Sequence, residues 1–208
     1  FPTPKSSLDK LFSKYLEKED SEQQTSEISL EIKNKYDMLH TIIEGPPGVG
    51  KTQLGKVLAK IYLSLGIIQS DKFRVATRKD FIGEYLGHTA IKTQKVIDSC
   101  MGGVLFIDEA YSLGNGDGKK DTFSKECIDT INQNLSENKG KFVCIIAGYK
   151  ENLEHDFFSV NPGLQRRFPF RYSIEKYTPK ELTHIFINKV SDIEWSLDEN
   201  CRTWFSES

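Results

Sequence analysis

Two kinds of hydrophobic pattern alternate along most of this chain, from about residue 38 to about residue 190. Short runs of consecutive apolar residues predict strands that are buried on both faces, as in a parallel sheet. Segments in which apolar residues recur every three or four positions predict amphipathic helices. Strands are predicted at 38–43, 73–77, 104–107 and 142–147, with a final one at 170–174 nearer the edge of the sheet. The alternation predicts an α/β fold, a parallel sheet flanked by helices.

The predicted helices lie between these strands. One follows residue 52 and would end at Gly66, and another runs from residue 89 to about Cys100. A third follows the glycine-rich loop at 113–120, which we expect to be mobile. The first stripe consists of Leu54, Val57, Leu58, Ile61, Tyr62 and Leu65, and the third of Phe123, Cys127, Ile128, Ile131 and Leu135.

The two ends of the chain differ from this central region, which we place at residues 36–176. Residues 1–35 predict a short amphipathic helix with its apolar positions between Leu8 and Leu16, followed by an acidic linker from Glu17 to Glu27. Residues 177–208 begin with a capping box, Thr178-Pro179-Lys180-Glu181, in which proline occupies the first helical position. A further helix is therefore predicted from about residue 179.

Composition narrows the class of protein. The chain has 208 residues, 38% hydrophobic and 28% charged, as in soluble globular proteins. Its formal net charge of −2 gives no bulk attraction to nucleic acid, so such a partner would need a local basic patch. No apolar run is long enough to span a bilayer. The 4 cysteines and 4 histidines are scattered, which predicts reduced thiols in a cytoplasmic compartment and no zinc site.

A phosphate-binding motif follows the first predicted strand. Residues 45–52 fit the P-loop pattern G-x-x-x-x-G-K-[ST], and the flanking strand and helix supply the context that this motif requires. Its small residues let backbone N–H groups converge on phosphate oxygens at a helix N-terminus. Lys51 would add a positive charge for the β- and γ-phosphates, and the Thr52 hydroxyl would be a ligand of Mg²⁺. The predicted nucleotide contacts are Gly45, Pro46, Pro47, Gly48, Val49, Gly50, Lys51, Thr52 and Gln53.

An acidic pair, Asp108 and Glu109, directly follows the apolar run at 104–107. The carboxyl end of a parallel strand is the edge at which ligands bind in open α/β sheets. Asp108 can hold Mg²⁺ opposite Thr52, directly or through water. Because side chains alternate along an extended segment, Glu109 points elsewhere and can orient and deprotonate the water that attacks the γ-phosphate.

Other motifs separate the classes of P-loop protein. No N-K-x-D sequence is present to read guanine, and no L-S-G-G-Q sequence of the transporter type is found. The acidic pair continues as Ala110-Tyr111, so the D-E-A-D form of RNA helicases is absent. The class that remains is an ATPase that activates water with a glutamate, with ATP and Mg²⁺ as its cofactors.

Several longer stretches resemble the AAA+ ATPases, from about residue 37 to residue 190. More narrowly, they resemble the branch that contains the red-type rubisco activases and the ATPases like sporulation stage V protein K. This resemblance implies a ring, usually a hexamer, that remodels a protein substrate with active sites shared between subunits, and it identifies residues 177–208 as the start of a helical lid. The matching stretches are the P-loop, 81–89, 102–111, 147–149 and 161–168.

Two site assignments depend on this resemblance. Tyr85, Leu86 and Gly87 match the loop that lines the ring's pore and grips an extended polypeptide; the alternative is that Tyr85 and Leu86 are core residues at a helix end. Arg167 matches the arginine finger that reaches the neighbouring subunit's γ-phosphate. Arg166 is the alternative finger, and simple pairing of both arginines with surface carboxylates is a third interpretation.

The chain also departs from the family pattern. Where family members carry a polar sensor residue after the fourth strand, this chain has Ala147-Gly148-Tyr149, and Asn152 is the nearest polar candidate. The lid looks partial, either shortened or diverged. We expect an ATP-hydrolysing motor that acts on a protein rather than on nucleic acid. A nucleotide-gated scaffold with slow or no turnover and a DNA-acting loader or helicase subunit remain as alternatives.

Overall fold

The computed structural model describes residues 38–85, 87–114 and 122–196, together with residue 198. The predicted N-terminal helix, the acidic linker, Leu86 and most of the glycine-rich loop lie outside these residues. So do the residues after 198, including Cys201.

The described residues form a five-stranded sheet in which every neighbouring pair of strands is parallel. The spatial order is β2-β3-β4-β1-β5, so the final strand lies at an edge, as the sequence predicts. The predicted and observed limits of the strands differ most for the first strand. The pattern predicts that it begins at residue 38, whereas it begins at Thr41. The strands are β1 (Thr41–Glu44), β2 (Phe73–Ala76), β3 (Val104–Ile107), β4 (Val143–Gly148) and β5 (Phe170–Ser173).

Helices cover both faces of this sheet, and the α/β prediction is confirmed. Two 3₁₀ turns, at Ala110–Leu113 and Gln165–Arg167, complete the described elements. The helices are α1 (Lys51–Ser64), α2 (Arg78–Phe81), α3 (His88–Asp98), α4 (Thr122–Glu137), α5 (Lys150–Asn152), which continues as a π-helix over Leu153–Phe158, and α6 (Pro179–Asp192).

Alternate residues of the central strands build two hydrophobic cores. Ile42 packs with residues of α3 and α4, such as Ile97, on one face of the sheet. Ile43 packs with residues of α1, such as Leu58, on the other face. All residues of β1, β3 and β4 are buried, which is why the sequences of β3 and β4 are nearly continuous apolar runs rather than alternating ones.

Helix α1, which begins at the P-loop, lies unusually close to β3. A Cβ atom on Gly55 would come within 2.7 Å of the Phe106 ring, so a glycine permits this approach. The contact fixes the P-loop helix against the strand that ends at the acidic pair.

Two helical segments were not predicted from the hydrophobic pattern. Helix α2 has only four residues, too short to show a period, and a capping box between Thr77 and Asp80 starts it. The segment 150–158 does carry a signal, since Leu153, Phe157 and Phe158 are buried at a spacing of four and five residues. The capping box at Thr178 and Glu181 is confirmed, with each side chain bonded to the other's backbone N–H.

Helix α6 has no buried residue, and Leu182 on it is 52% exposed. Within the described part of the chain, no helix combines the length and the apolar character needed to cross a bilayer.

A buried histidine precedes β1. His40 is 2% exposed and packs between the rings of Phe142 and Phe168. Its Nδ1 accepts the backbone N–H of Cys144 at 3.0 Å, a bond that protonation of Nδ1 would break. Burial lowers the pKa of His40 to about 4, against a smaller raising effect of the Leu135 backbone.

We predict that His40 makes the fold sensitive to mild acid. The pKa in the folded chain lies below that of an unfolded histidine, so the unfolded state binds more protons between about pH 6.5 and about pH 4. The free energy of unfolding should therefore fall by up to about 3 kcal/mol as the pH drops through that window. Urea unfolding at several pH values from neutral to about pH 4 measures this change in the free energy of unfolding.

The variant His40→Asn keeps an acceptor for the Cys144 N–H but cannot titrate. It should be less stable than the wild type at neutral pH because the smaller side chain leaves a cavity. Its free energy of unfolding should fall less than that of the wild type as the pH is lowered. His184→Asn, on the exposed α6, is the matched control and should retain the wild-type slope. Equal pH slopes in all three proteins would show that His40 is not the sensitive group.

Candidate nucleotide-binding site

The P-loop connects the end of β1 to the start of α1, as predicted. The N–H of Gly45 donates to the carbonyl of Gly148 at 3.2 Å, which extends the β1–β4 pairing into the loop. Gly48 and Gly50 have φ values of 77° and 89°, in the left-handed region that glycine adopts readily. No side chain caps α1, so its first N–H groups face the loop without a side-chain acceptor. This is the arrangement that favours an anion.

Lys51 lies inside the loop rather than on the surface. It is 7% exposed, and its Nζ donates to the carbonyls of Gly45 at 3.0 Å and Pro46 at 2.9 Å. The ring of Tyr149 lies 5.6 Å from the same ammonium, within range of a cation–π interaction. Phosphate oxygens would compete with these carbonyls for the ammonium protons.

The acidic pair meets the P-loop at the same sheet edge. Lys51 and Glu109 follow β1 and β3, the two neighbours of β4, at the same edge of the parallel sheet, and the positive charge of Lys51 acts on Glu109. Burial raises the pKa of Glu109, Lys51 lowers it and the neighbouring Asp108 raises it. The Asp108 carboxylate accepts the Glu109 N–H at 3.1 Å. The structure therefore brings together three of the predicted site residues.

Glu109 has an unusual backbone. Its φ is 50°, in the left-handed region, and it is the residue that precedes the 3₁₀ turn at Ala110–Leu113. Such a conformation costs about 1–3 kcal/mol in a residue other than glycine and is common at functional sites.

The donors available for a metal are hard oxygen atoms. Thr52 lies in the first turn of α1, and Asp108 directly follows β3. A hydroxyl and a carboxylate suit Mg²⁺, which takes one or two protein ligands together with phosphate oxygens and water. These two residues fit the magnesium site expected from the sequence.

The site includes tyrosines that sequence reasoning missed. Tyr149 lies over Lys51 and is 6.1 Å from the ring of Tyr111. The hydroxyl of Tyr177, in the connection between β5 and α6, donates to the carbonyl of Val49 in the P-loop at 2.9 Å. The family-like segment 147–149 was a signal for the first tyrosine, and no sequence pattern pointed to the second. Asn152, the suggested sensor, is exposed on α5.

The two candidate finger arginines differ in their surroundings. Arg167 is partly buried, and its guanidinium donates to Ser136 Oγ at 3.1 Å and to the Gly163 carbonyl at 3.4 Å. Arg166 is exposed. The partners of Arg167 belong neither to the P-loop nor to the acidic pair.

The proposed pore loop precedes α3. Tyr85 is 65% exposed and meets the ring of His88 edge-on, with their centroids 5.4 Å apart. Gly87 has a φ of 82° and forms the N-cap of α3. Leu86, as noted, lies outside the described residues.

Comparison with known proteins agrees with this geometry. The family model described as "ATPase family associated with various cellular activities (AAA)" matches residues 41–176. Among solved structures, RuvB of Thermogota maritima superposes with a TM-score of 0.56 at 18% identity, over 86% of this chain and 54% of the other. The AAA domain of FIGL-1 in complex with ADP gives 0.52 at 18% identity, over 74% and 48%. These structures support the fold.

Relatives in sequence are more similar. A putative cfxQ-like protein of Acanthamoeba polyphaga mimivirus is 52% identical over 80% of this chain and 41% of its own length. Stage V sporulation protein K of Bacillus subtilis is 40% identical over 77% and 49%. The ESX-1 secretion system protein EccA1 of Mycobacterium tuberculosis is 44% identical over 70% and 26%. This chain thus spans half or less of the length of these relatives. It belongs to the AAA family of ATPases, on the branch that includes stage V sporulation protein K.

Proposed function

We propose that this protein hydrolyses ATP and uses the energy to remodel a protein substrate. The observation that carries the proposal is that the P-loop with Lys51 and the acidic pair with Glu109 lie at one edge of the sheet, where the charge of Lys51 lowers the Glu109 pKa that burial raises. A phosphate-binding cation and a proton acceptor at the same sheet edge suit the attack of water on a terminal phosphate.

Each residue of the site has a distinct task in this reaction. The N–H groups of residues 48–52 and the Lys51 ammonium bind the phosphates. Thr52 and Asp108 hold Mg²⁺, which when bound neutralises charge on the phosphate oxygens. Glu109 orients the attacking water and accepts its proton. Because burial raises the Glu109 pKa, its carboxylate is a better base than an exposed one.

The proposal extends to a ring, usually a hexamer, with shared active sites. The guanidinium of Arg167 is directed to Ser136 and Gly163 of its own chain, away from its own P-loop, and Arg166 is exposed. These surroundings support the proposal that one of the two arginines serves a neighbouring subunit's site. The exposure of Tyr85 suits a loop that contacts an extended polypeptide rather than a core position.

We predict that Glu109→Gln retains nucleotide binding but lowers the rate of ATP hydrolysis at least about 100-fold. The amide keeps the size of the side chain and cannot accept the proton. Steady-state phosphate release and calorimetric binding of ADP measure the two properties. Glu151→Gln, an exposed change of the same kind, should leave both unchanged. Equal turnover in Glu109→Gln and wild type would rule out the mechanism. If the wild-type protein itself binds nucleotide but does not hydrolyse ATP, the scaffold alternative is favoured.

For the shared site, we predict that Arg167→Ala lowers turnover by about 1,000-fold or more and that Arg166→Ala has a small effect. The reverse order would identify Arg166 as the finger. Mixing the Arg167→Ala and Glu109→Gln proteins should restore activity, because some interfaces then combine an intact arginine with an intact glutamate. A mixture as inactive as its components would contradict an arginine supplied by a neighbour.

A DNA-acting protein is the second candidate, and one feature favours it. A concavity of about 430 Å³ between β2, α2 and α3 is lined by cations and a single acid. The acid, Asp80, is engaged in the cap of α2. The lining residues are Arg74, Lys79, Asp80, Lys92, Lys95 and Val96.

We predict that this basic concavity does not bind DNA measurably at physiological salt, because the chain as a whole is slightly acidic. Fluorescence anisotropy of a labelled single-stranded oligonucleotide at about 50 and about 200 mM salt tests it. Salt-sensitive binding that Lys92→Ala or Lys95→Ala weakens, and that Lys125→Ala on α4 does not, would support the DNA-acting alternative instead.

A further inference from the structure

The connection between β5 and α6 runs directly along the P-loop. The N–H of Ile174 donates to the carbonyl of Glu44 at 2.8 Å, which continues the pairing of β5 with β1. The Ile174 carbonyl then lies so close to Gly45 that a Cβ atom there would be 2.6 Å away. Three residues later, the Tyr177 hydroxyl donates to the Val49 carbonyl at 2.9 Å. The P-loop is thus supported from one side by this segment.

The bond from Tyr177 determines the orientation of one peptide group. The Val49 carbonyl and the Gly50 N–H belong to the same planar trans peptide and point in opposite directions. When the hydroxyl holds the carbonyl, the Gly50 N–H must point away from Tyr177. In a P-loop the backbone N–H groups are the ones that surround the phosphates.

Gly50 has the backbone that this orientation requires. Its φ of 89° is one that other residues rarely adopt, and a Cβ atom at this position would lie 3.3 Å from the Tyr177 hydroxyl oxygen. Glycine has more accessible backbone conformations than other residues, and Gly50 forms one half of this peptide group. A hydrogen bond to the Val49 carbonyl restricts that choice.

Tyr177 is also adjacent to α6. Thr178, the next residue, is the N-cap of that helix and shares the capping box with Glu181. Because α6 has no buried residue, its position depends strongly on its first turn and on the segment that precedes it. The hydroxyl therefore joins the P-loop to the start of α6 through a single side chain.

We propose that Tyr177 is a positioning residue that presets the Val49–Gly50 peptide for the phosphates of a bound nucleotide and ties that peptide to α6. The ligand class is a nucleoside di- or triphosphate, so the inference rests on the proposed function. The Tyr177 hydroxyl affects the affinity for the phosphates and takes no part in the hydrolytic step, which depends on Glu109.

The test is the variant Tyr177→Phe, which removes the hydroxyl and keeps the ring. Calorimetry should show ADP bound about threefold to tenfold more weakly than by the wild type, as expected for the loss of one hydrogen bond. The KM for ATP should rise by a similar factor, while kcat at saturating ATP stays within about twofold. Ser64→Ala, which also removes one hydroxyl-to-carbonyl hydrogen bond but at the exposed end of α1 opposite the P-loop, should leave the affinity for ADP unchanged.

The split between KM and kcat separates positioning from a general structural role. A variant that merely unfolds in part would lose kcat in proportion to the folded fraction and keep its KM. That result, or an unchanged affinity for ADP in Tyr177→Phe, would overturn the inference. Failure of the wild-type protein to bind ADP would instead count against the proposed function itself.

Discussion

The register of β1 between β4 and β5 is the constraint on which the rest of the structure depends. Thr41 pairs with Ile145 on one side and with Phe170 on the other, and the pairing continues to Glu44. A slip of one residue would exchange the residues of the two buried faces, so the hydrophobic cores hold the register firmly. Since the P-loop starts at the next residue, the same pairing decides where the phosphate-binding atoms lie relative to β4.

An ion pair between buried Glu44 and partly exposed Arg171 reinforces this register at the end of β1. Glu44 is 3% exposed, and its carboxylate accepts a hydrogen bond from Arg171 at 2.6 Å. The same guanidinium reaches Glu154 at 2.7 Å, which joins β1, β5 and the π-helix. Burial raises the pKa of Glu44, and the charges of Arg171 and Lys150 lower it. The energy gained from such a pair is offset by desolvation, so its main effect is to exclude other arrangements of these elements.

The sequence was informative wherever a local property decides the structure. The runs that became β3 and β4 are apolar at almost every position because both faces are covered, and that condition is visible in the residues themselves. The P-loop and the acidic pair were readable because their chemistry requires particular residues in a fixed order. The capping box at Thr178 was readable for the same reason.

Contacts between distant segments were not readable in this way. Tyr149 reaches Lys51 only because β4 lies beside β1, and Tyr177 reaches Val49 only because β5 lies on the other side. Neither arrangement has a sequence period. Helix α2 was missed because four residues are too few to show a periodic pattern.

The left-handed backbone of Glu109 has a consequence for how this chain responds to substitution. Glycine at this position would relax the turn after β3 and would remove the carboxylate. A screen that selects only for thermal stability would therefore tend to replace Glu109 and yield a more stable but inactive protein. Stability and activity are opposed at this residue, so a design that seeks both must introduce its stabilising substitutions at other positions.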